Sequence, residues 1–204
     1  MRIIVFDLET RKGTDELSDN KEYAWSLLRA GEGGISAICL YDLLEDWLYL
    51  YDDNALSLRS AVNHIEAADL VVGFRSEGFD LPCLEGVLGR RMHLREHLDL
   101  YALIARTNAH RGIVGMRGDY TLDAICRRAF GRGKNDHGAH APDLVKEGRY
   151  GELFNYCGND VRLTRDLLLF IAEHGGIPNA TGSFLPLHLS DGIRRALNVH
   201  PTQT

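Results

Sequence analysis

The chain has 204 residues, of which 45% are hydrophobic and 25% are charged, and these proportions exclude a disordered chain or a coiled coil. No apolar run reaches the ~18 residues of a membrane span, and the N-terminus lacks a signal-peptide cleavage site, so we expect a cytoplasmic protein without membrane contact. The net charge of −6 argues against nucleic-acid binding, but residues 86–149 carry a net charge of +5, which makes that segment a candidate surface for phosphates.

The first half of the chain predicts alternating strands and helices. Short apolar or β-branched runs indicate the strands, and apolar residues spaced three and four apart indicate the helices. In chain order the pattern predicts a strand at 2–6, an antiparallel pair at 34–41 and 46–51, a helix at 56–67, a strand at 69–74 and a helix at 81–88.

The second half predicts mostly helices. The expected elements are a short strand and a helical turn within 98–104, a loop at 107–120, a helix between an N-cap at Thr121 and Gly131, a loop at 131–141 and a long helix at 152–174. This order indicates an α/β domain with a mixed sheet covered by helices. Four widely spaced cysteines predict buried thiols rather than a disulfide framework or a zinc site.

Two acids close the first predicted strand, in the run VFDLET. If the strand continues to Glu9, its period of two places the carboxylates of Asp7 and Glu9 on the same face. Adjacent carboxylates repel each other, and a hard divalent ion such as Mg²⁺ is the usual way to stabilise them. A strand end with two solvated acids is the simpler alternative.

Further acids follow later strands and the last helix. Asp80 comes after Phe79 in the run VGFRSEGFD, where it either joins a functional site or caps a helix. Tyr156 and Asp160 are four residues apart in the last predicted helix and therefore share one face. Asp99, at the end of a strand-like run, either supports a site or is an ordinary turn acid.

Taken together and in this order, the motifs VFDLET, VGFRSEGFDLPCL and YCGND resemble the DEDD superfamily of 3′–5′ exonucleases in its tyrosine branch. That superfamily includes the proofreading domains of DNA polymerases. The resemblance implies a ribonuclease H-like three-layer fold, with a central mixed five-stranded sheet whose first three strands are antiparallel, flanked by helices. It covers roughly residues 1–175 and leaves 176–204 as a C-terminal extension that we expect to pack on the same domain. The histidine branch would carry histidine at position 155, where this chain has Asn155.

The resemblance also implies a two-metal-ion site that releases nucleoside 5′-monophosphates from a 3′ end. Asp7 would bridge two divalent ions, Mg²⁺ or Mn²⁺. Glu9 and Asp160 would complete the side of the attacking water, and Asp80 would hold the other ion. Tyr156 would orient that water, because a phenol with a pKa of about 10 is a poor base at neutral pH. Two bound ions would offset part of the acidic charge.

The implied substrate is a single-stranded nucleic acid or a 3′ end, of DNA or RNA, with a polymerase or a helicase as candidate partners. Phe79 is a candidate for stacking on a terminal base, and Arg75 stands near the position where the family usually has asparagine. A solvated helix face is an equal alternative for the arginine cluster after Thr121. The residues expected to contact nucleic acid are Leu8, Thr10, Arg75, Phe79, Arg127, Arg128, Arg132 and Lys134.

Two other classes of function fit parts of the pattern. A non-catalytic nucleic-acid-binding module on the same fold would usually lose one or more of the acids, whereas all four and the tyrosine are present here. A haloacid dehalogenase-type phosphatase would use Asp7 as the nucleophile of a D-x-D-x-T motif. In that motif Glu9 and Arg11 stand where the second aspartate and the threonine belong.

Overall fold

A computed structural model describes residues 1–112, 119–133, 141–179 and 182–198. Its centre is a mixed five-stranded sheet of order β3-β2-β1-β4-β5. The strands are β1 (Ile3–Thr10), β2 (Ile35–Asp42), β3 (Trp47–Asp52), β4 (Leu70–Gly73) and β5 (His97–Asp99). β1, β2 and β3 pair antiparallel, whereas β4 pairs parallel with both β1 and β5. The predicted five-stranded mixed sheet with three antiparallel first strands is confirmed.

Helices cover both faces of this sheet. The described helices are α1 (Thr14–Leu17), α2 (Lys21–Arg29), α3 (Ala55–Glu66), α4 (Asp80–Leu88), α5 (Leu100–His110), α6 (Leu122–Phe130), α7 (Ala141–Lys146), α8 (Tyr150–His174) and α9 (Asp191–Ala196). In the part of the chain that the structure describes, no helix combines the length and the apolar character needed to cross a bilayer.

The alternation of side chains along β1 divides the core into two layers. Ile3 and Val5 pack with residues of α5, α6 and α8 on one face of the sheet. Ile4 and Phe6 pack with residues of α2, α3 and α4 on the other face. Successive strand residues point to opposite faces, so one buried strand feeds both layers. The result is the helix–sheet–helix arrangement that a ribonuclease H-like fold requires.

Beyond α8 the chain forms a small antiparallel hairpin of β6 (Gly176–Pro178) and β7 (Phe184–Pro186), followed by α9. Ile177, Leu185 and Ile193 are buried in the same cluster as the residues of α8. The hairpin is tied back by the amide of Leu187, which donates to the carbonyl of Gly175 at 2.9 Å. Part of the apolar surface of the described residues after α8 is therefore buried in the main core, whereas Phe184 is 48% exposed.

The sequence pattern misses helices α1, α2, α7 and α9 and places one loop boundary wrongly. The pattern predicted no helix at α2. Only Ala24 and Leu28 are buried there, whereas the aromatic Tyr23 and Trp25 are exposed, so the apolar residues do not show helical spacing. The loop predicted at 107–120 begins too early, since α5 continues to His110. Residues 113–118 and 134–140, and with them Lys134, lie outside the described residues.

Candidate active site

Strand β1 reaches Thr10, so Asp7 and Glu9 continue the alternation of Ile3 and Val5 and share one face, as predicted. Both side chains are half-buried. Cys157 of α8 lies against them, and one ligand atom from each of Asp7, Glu9 and Cys157 falls within 4.8 Å of the others. These three side chains form a cluster that could hold a metal ion.

The contribution of Cys157 was missed by the sequence reasoning, which treated it as an ordinary buried thiol. Its Sγ donates to the carbonyl oxygen of Asp7 at 3.5 Å. Burial and the neighbouring Cys39 raise the pKa of the Cys157 thiol well above its usual value, so the thiol is neutral at physiological pH. Because the thiolate and not the neutral thiol is the metal ligand, the two carboxylates are the stronger candidates to hold an ion in this cluster. The signal in the sequence was the spacing of three between Cys157 and Asp160, which places both on one face of a helix.

Asp80 is the first residue of α4 but does not cap it. Phe79 occupies the N-cap position, and no side chain there caps the helix. Instead Oδ1 of Asp80 accepts a hydrogen bond from the backbone amide of Leu8 at 3.1 Å. The helix-cap alternative is therefore wrong, and the carboxylate of Asp80 is held against the end of β1 that carries Asp7 and Glu9.

The electrostatic surroundings of Asp80 favour a cation. Burial, which is the largest cause, and the nearby charges of Asp99 and Asp160 together raise the pKa of the Asp80 carboxyl to about 7, although the hydrogen bond from the amide of Leu8 lowers it. A divalent ion beside such a carboxyl stabilises its ionised form, and hard ions such as Mg²⁺ prefer carboxylate oxygens. The set of donors therefore fits a divalent metal.

Asp7, Glu9, Asp80 and Asp160 all line one open cleft with a volume of about 1230 Å³. They come from the end of β1, the start of α4 and the middle of α8. The fold therefore brings Asp7 and Asp160, which are 153 positions apart in the sequence, to the same cleft. Leu8, Arg75 and Phe79 also line this cleft, whereas Thr10 is buried and does not. Tyr156 lies one helical turn before Asp160, half-buried and not among the residues that line the cleft.

The carboxylate of Asp99 accepts hydrogen bonds from two separate segments of the backbone. Its carboxylate caps α5 by accepting from the amide of Ala102 at 3.1 Å. It also accepts from the amides of Arg75 at 3.0 Å and Glu77 at 2.9 Å, and the residue is 1% exposed. One buried carboxylate therefore fixes the loop 74–79, which forms part of the cleft wall.

Arg75 adopts a left-handed backbone conformation, with a φ of 66°. This region is unfavourable for residues other than glycine, and such strain persists only where neighbouring structure holds it. Here Asp99 supplies that restraint. The guanidinium of Arg75 lies over the ring of Tyr101, 4.2 Å from its centroid, so its position in the cleft is defined.

A second wall of the cleft comes from α2, which the sequence reasoning missed. Trp25 and Arg29 line the cleft on this side. Trp25 packs edge-to-face on Phe79 with a centroid distance of 5.5 Å. Nε of Arg29 donates to the carbonyl oxygen of Gly78 at 2.9 Å. The two cleft walls therefore each present an aromatic ring and an arginine.

The arginine cluster near α6 does not line the cleft. Arg127 pairs with Asp123 at 2.9 Å, and Arg132 pairs with Asp166 at 2.8 Å. Arg128 donates to the backbone carbonyl of Asp119. The arginines expected to track phosphates thus bind acceptors of the protein itself.

Ion pairs also offset part of the uneven distribution of charge along the chain. Several cations of the basic segment 86–149 pair with acids outside it. These pairs are Arg90 with Glu66, Arg91 with Glu85, Arg95 with Asp69, Arg132 with Asp166 and Lys146 with Glu16, at 2.6–3.0 Å. Part of the local excess of +5 is therefore neutralised in the folded protein rather than displayed as one surface.

Comparisons with known proteins give a match at the level of the fold. No protein-family model and no curated protein sequence matches the chain. Among solved structures, the chain is similar to the family B DNA polymerase of the hyperthermophilic archaeon Pyrobaculum calidifontis, with a TM-score of 0.57 and 19% sequence identity. The match covers 95% of this chain and 27% of the polymerase chain, so the chain corresponds to about a quarter of that protein. Identity this low shows a shared fold and no more.

Proposed function

We propose that this protein is a metal-dependent 3′–5′ exonuclease, which hydrolyses nucleic-acid phosphodiesters from the 3′ end and releases nucleoside 5′-monophosphates. One observation carries the proposal: Asp7, Glu9, Asp80 and Asp160 converge on a single cleft from three separate elements. The sequence motifs resemble those of the tyrosine-branch DEDD exonucleases, and a similar fold occurs in a DNA polymerase. The motifs therefore support this reaction, and the fold is one in which the four acids meet in a single cleft.

The residues that would hold divalent metal are the four acids, Asp7, Glu9, Asp80 and Asp160. Mg²⁺ and Mn²⁺ suit an all-oxygen set of this kind. When bound, two such ions would activate a water and stabilise the leaving 3′ oxygen, which are the two requirements of phosphodiester hydrolysis. The backbone amide of Leu8 orients the carboxylate of Asp80, so one ligand is fixed before any ion binds.

We assign phosphate binding to cations that line the cleft. Arg29, Arg75 and Arg106 all do so. Arg106 lies 3.7 Å from Glu77, a loose and exposed ion pair that costs little to break. A nucleic-acid strand that enters the cleft would therefore meet arginines as well as the four acids. This assignment replaces the cluster of Arg127, Arg128 and Arg132 as the proposed phosphate contacts.

The experiment that tests the proposal is incubation of the full chain with a single-stranded oligonucleotide. With Mg²⁺ or Mn²⁺ we expect nucleoside 5′-monophosphates, and with EDTA no product. If the strand remains intact with either metal, while the protein still binds it, the non-catalytic nucleic-acid-binding module becomes the correct assignment.

Replacement of Tyr156 with Phe tests the role of the tyrosine. Because Tyr156 lies one turn before Asp160 on α8, we expect loss of its hydroxyl to lower kcat on an oligonucleotide about 100-fold, as for other groups that assist proton transfer. The free energy of unfolding should stay within about 1 kcal/mol of the unmodified protein, as measured by urea denaturation. The matched control is Tyr150→Phe, an exposed tyrosine on the same helix, which should leave kcat unchanged. An unchanged kcat in Tyr156→Phe would remove Tyr156 from the mechanism.

A further inference from the structure

Helix α2 contacts the rest of the protein backbone to backbone. Gly31 follows its end with a φ of +89°, and Gly86 of α4 faces it. A Cβ atom built on Gly86 would lie 2.5 Å from the carbonyl oxygen of Arg29, and one on Gly31 would lie 2.6 Å from the carbonyl carbon of Gly86. Neither position tolerates a side chain, so the two helices meet at a distance that only glycine allows.

This contact places Trp25 in a fixed position at the edge of the cleft. The hydrogen bond from Arg29 to Gly78 joins the end of α2 to the loop 74–79. The edge-to-face contact with Phe79 then limits the orientation of the indole. Trp25 remains 41% exposed although it is one of the largest apolar side chains, and it lines the same cleft as the four acids. The fold therefore holds a rigid, exposed aromatic ring next to the proposed site.

We propose, on the basis of the exonuclease function proposed above, that Trp25 stacks on an unpaired nucleobase of the substrate and makes the site selective for single strands. Aromatic side chains next to arginines form the usual platform for single-stranded nucleic acid, because every base presents a π face. Arg29 and Arg75 supply the neighbouring cations. In a duplex the faces of each base are covered by its neighbours, so a paired end must open before it can stack on Trp25.

The test compares binding of a short oligothymidylate with binding of the same strand carrying abasic sugars at its 3′ end. It uses full chains that also carry Asp7→Ala, so that the strand stays intact, and reads fluorescence anisotropy of a 5′ label. With Trp25 present we expect the strand with bases to bind about tenfold or more tightly than the abasic strand. In Trp25→Ala this preference should disappear, and in Trp25→Phe most of it should remain.

Trp47, the other tryptophan of the chain, provides the matched control. It lies on the edge strand β3, is exposed and does not line the cleft, so Trp47→Phe should keep the full preference. The Trp47→Phe protein also leaves Trp25 as the sole indole, whose emission should be quenched by the oligothymidylate and not by the abasic strand. A Trp25→Ala protein with the preference of the parent, or unquenched Trp25 emission at saturation, would overturn the inference.

Failure of the exonuclease proposal would be seen separately. Hydrolysis of bis(4-nitrophenyl) phosphate, measured on protein with Asp7 intact, reports on the metal-dependent chemistry without any base to stack. No hydrolysis together with a base preference that depends on Trp25 would overturn the proposed reaction and support Trp25 as a nucleobase contact. Metal-dependent hydrolysis without that preference would overturn the role of Trp25 alone.

Discussion

Asp7→Ala is expected to lower the rate of oligonucleotide hydrolysis about 10³-fold or more. Asp7 is one of the acids proposed to hold the metal. Metal ions contribute several kcal/mol of charge stabilisation to a reaction of this kind, and each 1.36 kcal/mol is worth a factor of ten in rate. The side chain is only half-buried and lies next to Glu9, so its removal also relieves repulsion between carboxylates. We therefore expect the fold to survive, with a melting temperature close to that of the unmodified protein.

Isothermal titration with Mn²⁺ separates a metal defect from a folding defect. Asp7→Ala should lose most of the heat of binding while its far-ultraviolet circular dichroism is unchanged. Asp19→Ala, which removes an equal charge from an exposed position away from the cleft, should keep both the binding heat and the rate. Wild-type rates in Asp7→Ala would refute the assignment of Asp7.

Of all the replacements proposed, Asp99→Ala is expected to destabilise the protein most, by about 3 kcal/mol in the free energy of unfolding. Its buried carboxylate accepts from three backbone amides, and each buried donor left without an acceptor costs ~1–3 kcal/mol. The loop 74–79 would also lose its anchor, so KM for an oligonucleotide should rise more than kcat falls. Urea denaturation measures the first effect and steady-state kinetics the second.

Asp99→Asn provides the graded comparison. An amide oxygen in the place of Oδ1 can still accept from Arg75 and Ala102, whereas the amide nitrogen faces the N–H of Glu77 and cannot accept from it. We expect about half of the loss of stability seen for Asp99→Ala. A stability for Asp99→Ala within ~0.5 kcal/mol of the unmodified protein would show that these three hydrogen bonds do not hold the loop.

The sequence pattern was sufficient to predict the strand positions and the shared face of Asp7 and Glu9, whereas the five-stranded topology was implied by the family resemblance. Period-two alternation is a local property, and β1 obeys it from Ile3 onward. The helix cap at Thr121 was predicted correctly for the same reason, since its hydroxyl accepts from the amide of Ala124 three residues later. Strand periodicity and helix caps depend on residues that are close in the sequence, so they can be predicted without knowledge of the tertiary fold.

The failures concern features that depend on tertiary contacts. Asp80 has the sequence context of a helix cap, and only its hydrogen bond to Leu8, 72 residues away, reveals another role. The arginines of 86–149 look like a phosphate surface because the acids that neutralise them are distant in sequence. Helix α2 is stabilised by the contact between Gly31 and Gly86, which no periodicity records.

The measurement that tests the central claim most directly is a time course on one single-stranded oligonucleotide, labelled in parallel at its 3′ end or at its 5′ end. With Mg²⁺ or Mn²⁺ we predict that the 3′ label appears at once as a mononucleotide, while the 5′ label passes through a ladder of strands shortened one nucleotide at a time. EDTA should abolish both patterns. Three results would contradict the assignment of a metal-dependent 3′–5′ exonuclease. These are release of the 5′ label first, internal cleavage of the oligonucleotide in either labelled sample, or product formation that persists in EDTA.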